Sequence, residues 1–306
     1  MLIFATSDKG GTGRSVTSSN VAYRAALDGS DCVYLDFDFG SPTSGAIFDL
    51  PGVTAGVDSG DGLHTYFLGE VDEPGRIDVW SESERDVLRS RPAGAGRLVL
   101  MPGDRGGGEF QATPEMVQRC VSLLLRVADE FDLAIVDLSA GRSYATDIVL
   151  AATARPELTG LNARWLVFHR WTRQHILAAS GLVRGQHGLL DAGRKRGHDQ
   201  DALRRSIRFI RTAVLNPAAQ GQAGLRPEQL AWLDRCDSRL HELAGSMGVG
   251  RSVLLGEIPL DPVLQWQEQL LSNEDVLLHG TANQETVTAF ELLAKKLSDD
   301  DAWIGL

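Results

Sequence analysis

The stretch Ser7-Asp8-Lys9-Gly10-Gly11-Thr12-Gly13-Arg14-Ser15 follows the apolar run Leu2–Ala5 and precedes a segment of helical character. Gly10, Gly11 and Gly13 let the backbone curl so that its N–H groups converge on one point. The helix that begins near Arg14 adds the positive end of its dipole. This is the pattern of a loop that cradles phosphate. Ser15 falls where a hydroxyl reaches a magnesium ion held on those phosphates. The lysine that ordinarily precedes that hydroxyl is replaced by Arg14, while another lysine, Lys9, stands early in the loop. A plain strand–helix turn also uses glycines, so the reading depends on what lies downstream.

Two carboxylate segments lie there, each at the end of an apolar run. In Val33-Tyr34-Leu35-Asp36-Phe37-Asp38-Phe39-Gly40, strand alternation puts Asp36 and Asp38 on one side. Carboxylates at such a place hold magnesium waters or orient an attacking water, although Asp36 also suits a cap on the turn containing Gly40 and Pro42. In Phe131-Asp132-Leu133-Ala134-Ile135-Val136-Asp137, a buried run ends in an acid whose charge needs water, a metal or a donor.

Apolar bursts of strand length recur at 2–6, 33–36, 98–101, 133–137, 165–168, 207–215 and 253–255. Helical stretches at 15–27, 114–130, 172–183, 227–247 and 281–297 separate them. Strands apolar on both faces, alternating with helices, predict an α/β fold: a doubly wound, mostly parallel sheet with helices on both faces. Residues 1–298 read as one domain, with a loop-rich insertion at 53–97 carrying one short helix, and a tail at 299–306. Ligands of such folds bind outside the carboxyl ends of the strands.

Of the 306 residues, 43% are hydrophobic and 23% charged, which is ordinary for a soluble globular chain. A formal charge of −11 argues against a surface devoted to nucleic acid. The segment 184–211 is locally basic, and it reads first as a solvated face offsetting an acidic protein. Cys32, Cys120 and Cys236 are odd in number and form no Cys-x-x-Cys pair, so they read as reduced thiols of a cytoplasmic protein. No run approaches membrane-spanning length and no signal-peptide pattern precedes the first strand. His169 reads as a loop residue on the ligand side of the sheet, and Trp165 and Trp171 as packing residues.

Taken together the segments resemble the MinD/ParA ATPases. Lys9-Gly10-Gly11-Thr12-Gly13-Arg14-Ser15 resembles their deviant Walker A motif, in which a lysine stands at the place of Arg14. Leu35–Gly40 is similar to the second motif, Leu98–Gly103 to the strand that usually follows, and Val136–Gly141 to the Walker B and switch region. Ala213-Val214-Leu215-Asn216 is similar to the strand whose Asn recognises adenine, and Leu255–Asp261 to the late Gly-x-Ile-Pro-x-Asp segment. The order holds from residue 1 to about 297.

The resemblance implies a P-loop fold binding ATP and Mg²⁺ as a homodimer in the ATP state. Gly10, Gly11, Thr12, Gly13, Arg14, Ser15 and Val16 would surround the phosphates, and Ser15, Asp137 and Asp36 would serve the metal. Lys9 would reach the partner's phosphates and Asp38 would position the lytic water. Asn216 and Pro259 would meet the adenine. Such switches recruit a protein partner or cargo. Nonspecific DNA through 184–211 is a further candidate surface; stable membrane binding is not expected. Arg for Lys at a phosphate site is not conservative. Losing transition-state contacts there costs a few kcal/mol, or about two decades in rate. Hydrolysis is therefore expected to be slow, and the alternative is a non-catalytic, nucleotide-dependent adaptor.

Overall fold

The computed structural model describes residues 1–215 and 226–304. Eight strands form one sheet: β1 (Leu2–Ser7), β2 (Cys32–Phe37), β3 (Ile77–Asp78), β4 (Leu98–Met101), β5 (Leu133–Leu138), β6 (Ala163–Arg170), β7 (Ile207–Val214) and β8 (Leu254–Pro259). Their order is β3-β4-β2-β5-β1-β6-β7-β8. All neighbours are parallel except the short edge strand β3, which runs antiparallel to β4.

The apolar alternation builds two cores. Leu2, Phe4, Val33 and Leu35 face one way and pack with Val117, Leu124, Ile148 and Val149. Ile3, Ala5, Tyr34 and Ile135 face the other way and pack with Val21, Ala22, Phe290 and Leu293. Helices Pro114–Glu130, Tyr144–Thr153 and Arg173–Arg184 thus cover the first face, and helices Arg14–Leu27 and Gln284–Ser298 the second. Burial of these two layers is the main force holding the sandwich together.

The chain leaves β1 toward β2 on one side and later returns beside β1 as β6, so the strand order reverses at β1. A crevice opens at such a point, outside the carboxyl ends of the strands. The glycine loop is the segment that emerges there.

Residues 53–97 are less loop-like than their composition predicts. They hold the helix Leu63–Leu68, a turn of helix at Val79–Glu82 and the edge strand β3. Leu63, Phe67, Val79 and Trp80 from this segment are core residues. The 299–304 part of the tail is docked on the body. The guanidinium groups of Arg164 and Arg208 lie 4.6 and 5.3 Å from the ring centre of Trp303, and its indole N–H donates to the Lys296 carbonyl.

The basic segment 184–211 is not one surface. Arg194 and Lys195 pair with Asp191, Arg204 with Asp201 and Arg196 with Asp147 on the outside. Arg208 and Arg211, on β7, are buried. His169 is likewise not a loop residue: it lies buried within β6, where burial pushes its pKa down to about 4.

Candidate nucleotide site

The loop after β1 ends in a helix whose first turn is left open. Thr113, Ser143 and Thr172 each cap their helices with a side-chain oxygen. The helix Arg14–Leu27 starts instead at Gly13, which has no side chain to offer and leaves the leading N–H groups free. Gly11 and Gly13 have φ of +69° and +74°, a left-handed backbone that other residues adopt only with strain. A side chain added at Gly10 or Gly11 would meet nothing within 4 Å, so the loop faces open space. The geometry is that of an anion cradle.

A cavity of about 230 Å³ continues from this loop. Gly11, Thr12, Gly13 and Val16 form one wall, and Ile258, Pro259 and Leu264 another. Val16 and Pro259 thus stand at the same cavity although 243 positions separate them in sequence. Ala213, from the strand likened to the adenine-reading one, also lines it, as do Arg170, Thr212, Gln265 and Glu268, which the sequence did not mark. Thr212 ties the loop to the sheet, its hydroxyl donating to the Thr12 carbonyl. Ala213 takes φ of +51° beside a register shift between β7 and β8, and this irregularity forms part of the wall. Asn216 lies outside the described residues.

Arg14 does not reach over the glycine loop. Its side chain turns back to the carboxylates and is buried. Nε donates to Asp137 Oδ1, Nη2 donates to Asp38 Oδ2 at 2.9 Å, and Nη2 lies 3.3 Å from Ser15 Oγ. Burial alone would lower the arginine's pKa. The attraction of Asp137 and then Asp38 outweighs it and holds the guanidinium charged well above its ordinary range. Asp137, at the end of β5, is 1% exposed, so the cation is what makes its charge tolerable there.

Asp36 has a different place from the metal-binding one expected. Its Oδ2 accepts from the Ser44 N–H at 3.0 Å and the Ser44 hydroxyl at 2.6 Å, and its Oδ1 from the Asp38 N–H at 3.2 Å. It fixes the turn after β2. Burial, reinforced by the nearby charge of Asp137, pushes its pKa up to about 7. Lys9 is exposed on the loop.

Magnesium would need Ser15 and Asp137 as its donors here. As folded, Arg14 engages both, and Ser44 holds Asp36. The donor set therefore fits a metal only after Arg14 has left it.

No family model matches the chain, and no curated protein matches it in sequence. Solved structures do match over nearly its whole length. Sheet order, loop and these likenesses give the chain a MinD/ParA-like P-loop ATPase fold. One such structure is the septum site-determining protein MinD of Pyrococcus horikoshii complexed with Mg-ADP. It is 14% identical with a TM-score of 0.55, over 98% of this chain and 96% of that one. A plasmid partition protein of Borrelia burgdorferi bound to AMPPNP gives 13% identity and a TM-score of 0.58, over 98% of each chain. The ParA of pNOB8 bound to nonspecific DNA gives 15% and 0.53, over 97% of this chain and 96% of that one.

Proposed function

We propose that this protein is a nucleotide-binding switch that takes ATP in the loop 9–16, pairs with a second copy around it, and uses that state to recruit or position a cargo. The observation that carries the reading is the open, uncapped helix start at Gly13 beside a cavity that ends at Pro259. Phosphates would lie on the loop N–H groups and the base and sugar in the cavity. The exposed Lys9 supports pairing, because its charge is open to the phosphate of a facing copy. Solved proteins of this fold include complexes with Mg-ADP and AMPPNP, which supports ATP as the ligand. Titration calorimetry with ATP, together with mass photometry at the same concentrations, tests it. Saturable heat and a doubling of mass are expected; no heat and no rise in melting temperature at millimolar ATP would overturn it.

Hydrolysis in this reading is slow. Asp38, the candidate for holding an attacking water, is ion-paired to Arg14, and Asp137 is paired to the same group. The same two contacts favour the second reading, a nucleotide-dependent adaptor with no turnover. Phosphate release by the protein and by Arg14→Lys separates them: turnover that rises in the variant marks a hindered ATPase, and turnover near zero in both marks the adaptor. A ParA of this fold has been solved on nonspecific DNA. Here four outward cations of the segment 184–211, Arg194, Lys195, Arg196 and Arg204, are already matched by Asp191, Asp147 and Asp201, which supports a solvated face, while Arg184 and Arg205 are exposed outside these pairs. Salt-sensitive binding of the ATP-loaded protein to random duplex would reverse that assignment.

A further inference from the structure

We propose that the Arg14 guanidinium occupies the seat of the divalent cation, so that this protein binds a nucleoside triphosphate without needing one. The inference rests on the nucleotide-site reading above and concerns how that site balances its charge. A divalent cation in such a site neutralises acidic side chains and phosphate oxygens together. In this chain that work is divided among atoms already in place. Asp137 Oδ1 and Asp38 Oδ2 each accept from Arg14, and Ser15 Oγ lies within reach of the same Nη2. Asp36 is tied up by Ser44.

A cation entering at this point would have to evict a buried guanidinium from two carboxylates, leaving the arginine to find new partners. A planar fork satisfying two acids is a poor group to displace. Nη1 of Arg14 has no protein partner among the described residues, and it is not among the buried unpaired atoms. It is thus the one Arg14 donor left for an acceptor that enters the site. A lysine at this position has a single ammonium, and it would have to choose between phosphate and acids. When it goes to phosphate, the acids are released for a metal.

The test is calorimetric titration of ATP into the full chain, in excess EDTA and again in excess Mg²⁺. The expected result is a Kd in EDTA within about threefold of that in magnesium, far from the several decades open to an obligatory metal. Arg14→Lys is expected to gain metal dependence, its affinity in EDTA falling about tenfold or more below that in magnesium. As a metal-only readout, Mn²⁺ titrated into the nucleotide-free protein should keep its free-ion EPR signal. Binding of ATP by the parent protein only in magnesium would overturn this inference while leaving the nucleotide site standing. Absence of binding in both buffers would overturn the nucleotide reading and the inference with it. Equal metal independence in Arg14→Lys would also sink the proposal, since Arg14 would then not be the cause.

Discussion

Replacing Arg14 by methionine removes the charge while keeping an unbranched side chain of comparable length, and the structure sets how much should be lost. The two acids it holds are unequal. Asp137's side chain is 2% exposed and Asp38's 26%. The Asp38 contact is partly screened by water, so Asp38→Asn should cost under about 1 kcal/mol, as partly exposed ion pairs do. Asp137 has no such relief. Without its cation it becomes a buried, uncompensated charge, and Arg14→Met should cost about 3–5 kcal/mol. Adding Asp137→Asn to Arg14→Met removes the stranded charge and should restore at least about 2 kcal/mol, a coupling expected only of groups in contact. Equilibrium urea unfolding of the parent, the two single variants and the double variant measures all four corners. A loss under about 1 kcal/mol in Arg14→Met, with no recovery in the double variant, would refute the claim that this pair organises the site.

Thr212→Val should cost about 1 kcal/mol by deleting the hydroxyl that holds the Thr12 carbonyl, and weaken ATP affinity about fivefold; calorimetry reads the second. Trp303→Ala should cost about 3 kcal/mol and free the tail, seen as faster proteolysis near residue 300, because the buried indole and its two arginine contacts are lost together. His169 is neutral in the fold, with its pKa lowered by burial from 6.5 to about 4. The unfolded chain binds that proton first, so the residue's stabilisation is complete above 6.5 and is lost as pH falls through 4. The full loss is roughly 3 kcal/mol. Asp36 has the opposite sign: with its pKa raised to about 7, the fold favours the neutral acid, and stability declines as pH rises from about 4 to about 7. The two slopes oppose each other between about 4 and 6.5. His169→Leu should therefore steepen the decline with rising pH in that window, and a variant curve parallel to the parent's would contradict the assignment.

Much of this was legible in the chain itself. Helix Pro114–Glu130 runs between the bounds its periodicity predicts, because Thr113, Pro114 and an amphipathic face all mark it locally. The strand bursts were visible because a parallel sheet covered on both faces needs unbroken apolar runs. Helix Tyr144–Thr153 went unpredicted. The basic stretch 184–211 looked like one charged face, yet Arg208 and Arg211 turn inward, a choice made by Trp303, Trp171 and Glu257 from distant segments.

The glycine loop, its following helix and the acids at the ends of β2 and β5 follow from the order of residues, since each depends on backbone freedom and alternation within a few positions. The use of those acids does not. That Arg14 lies on Asp38 and Asp137, that Asp36 closes its own turn, and that Thr212 meets the loop and Pro259 its cavity were decided only when strands far apart in sequence were brought side by side. Burial then left charge no alternative but the nearest opposite charge, and distance along a chain carries no record of that.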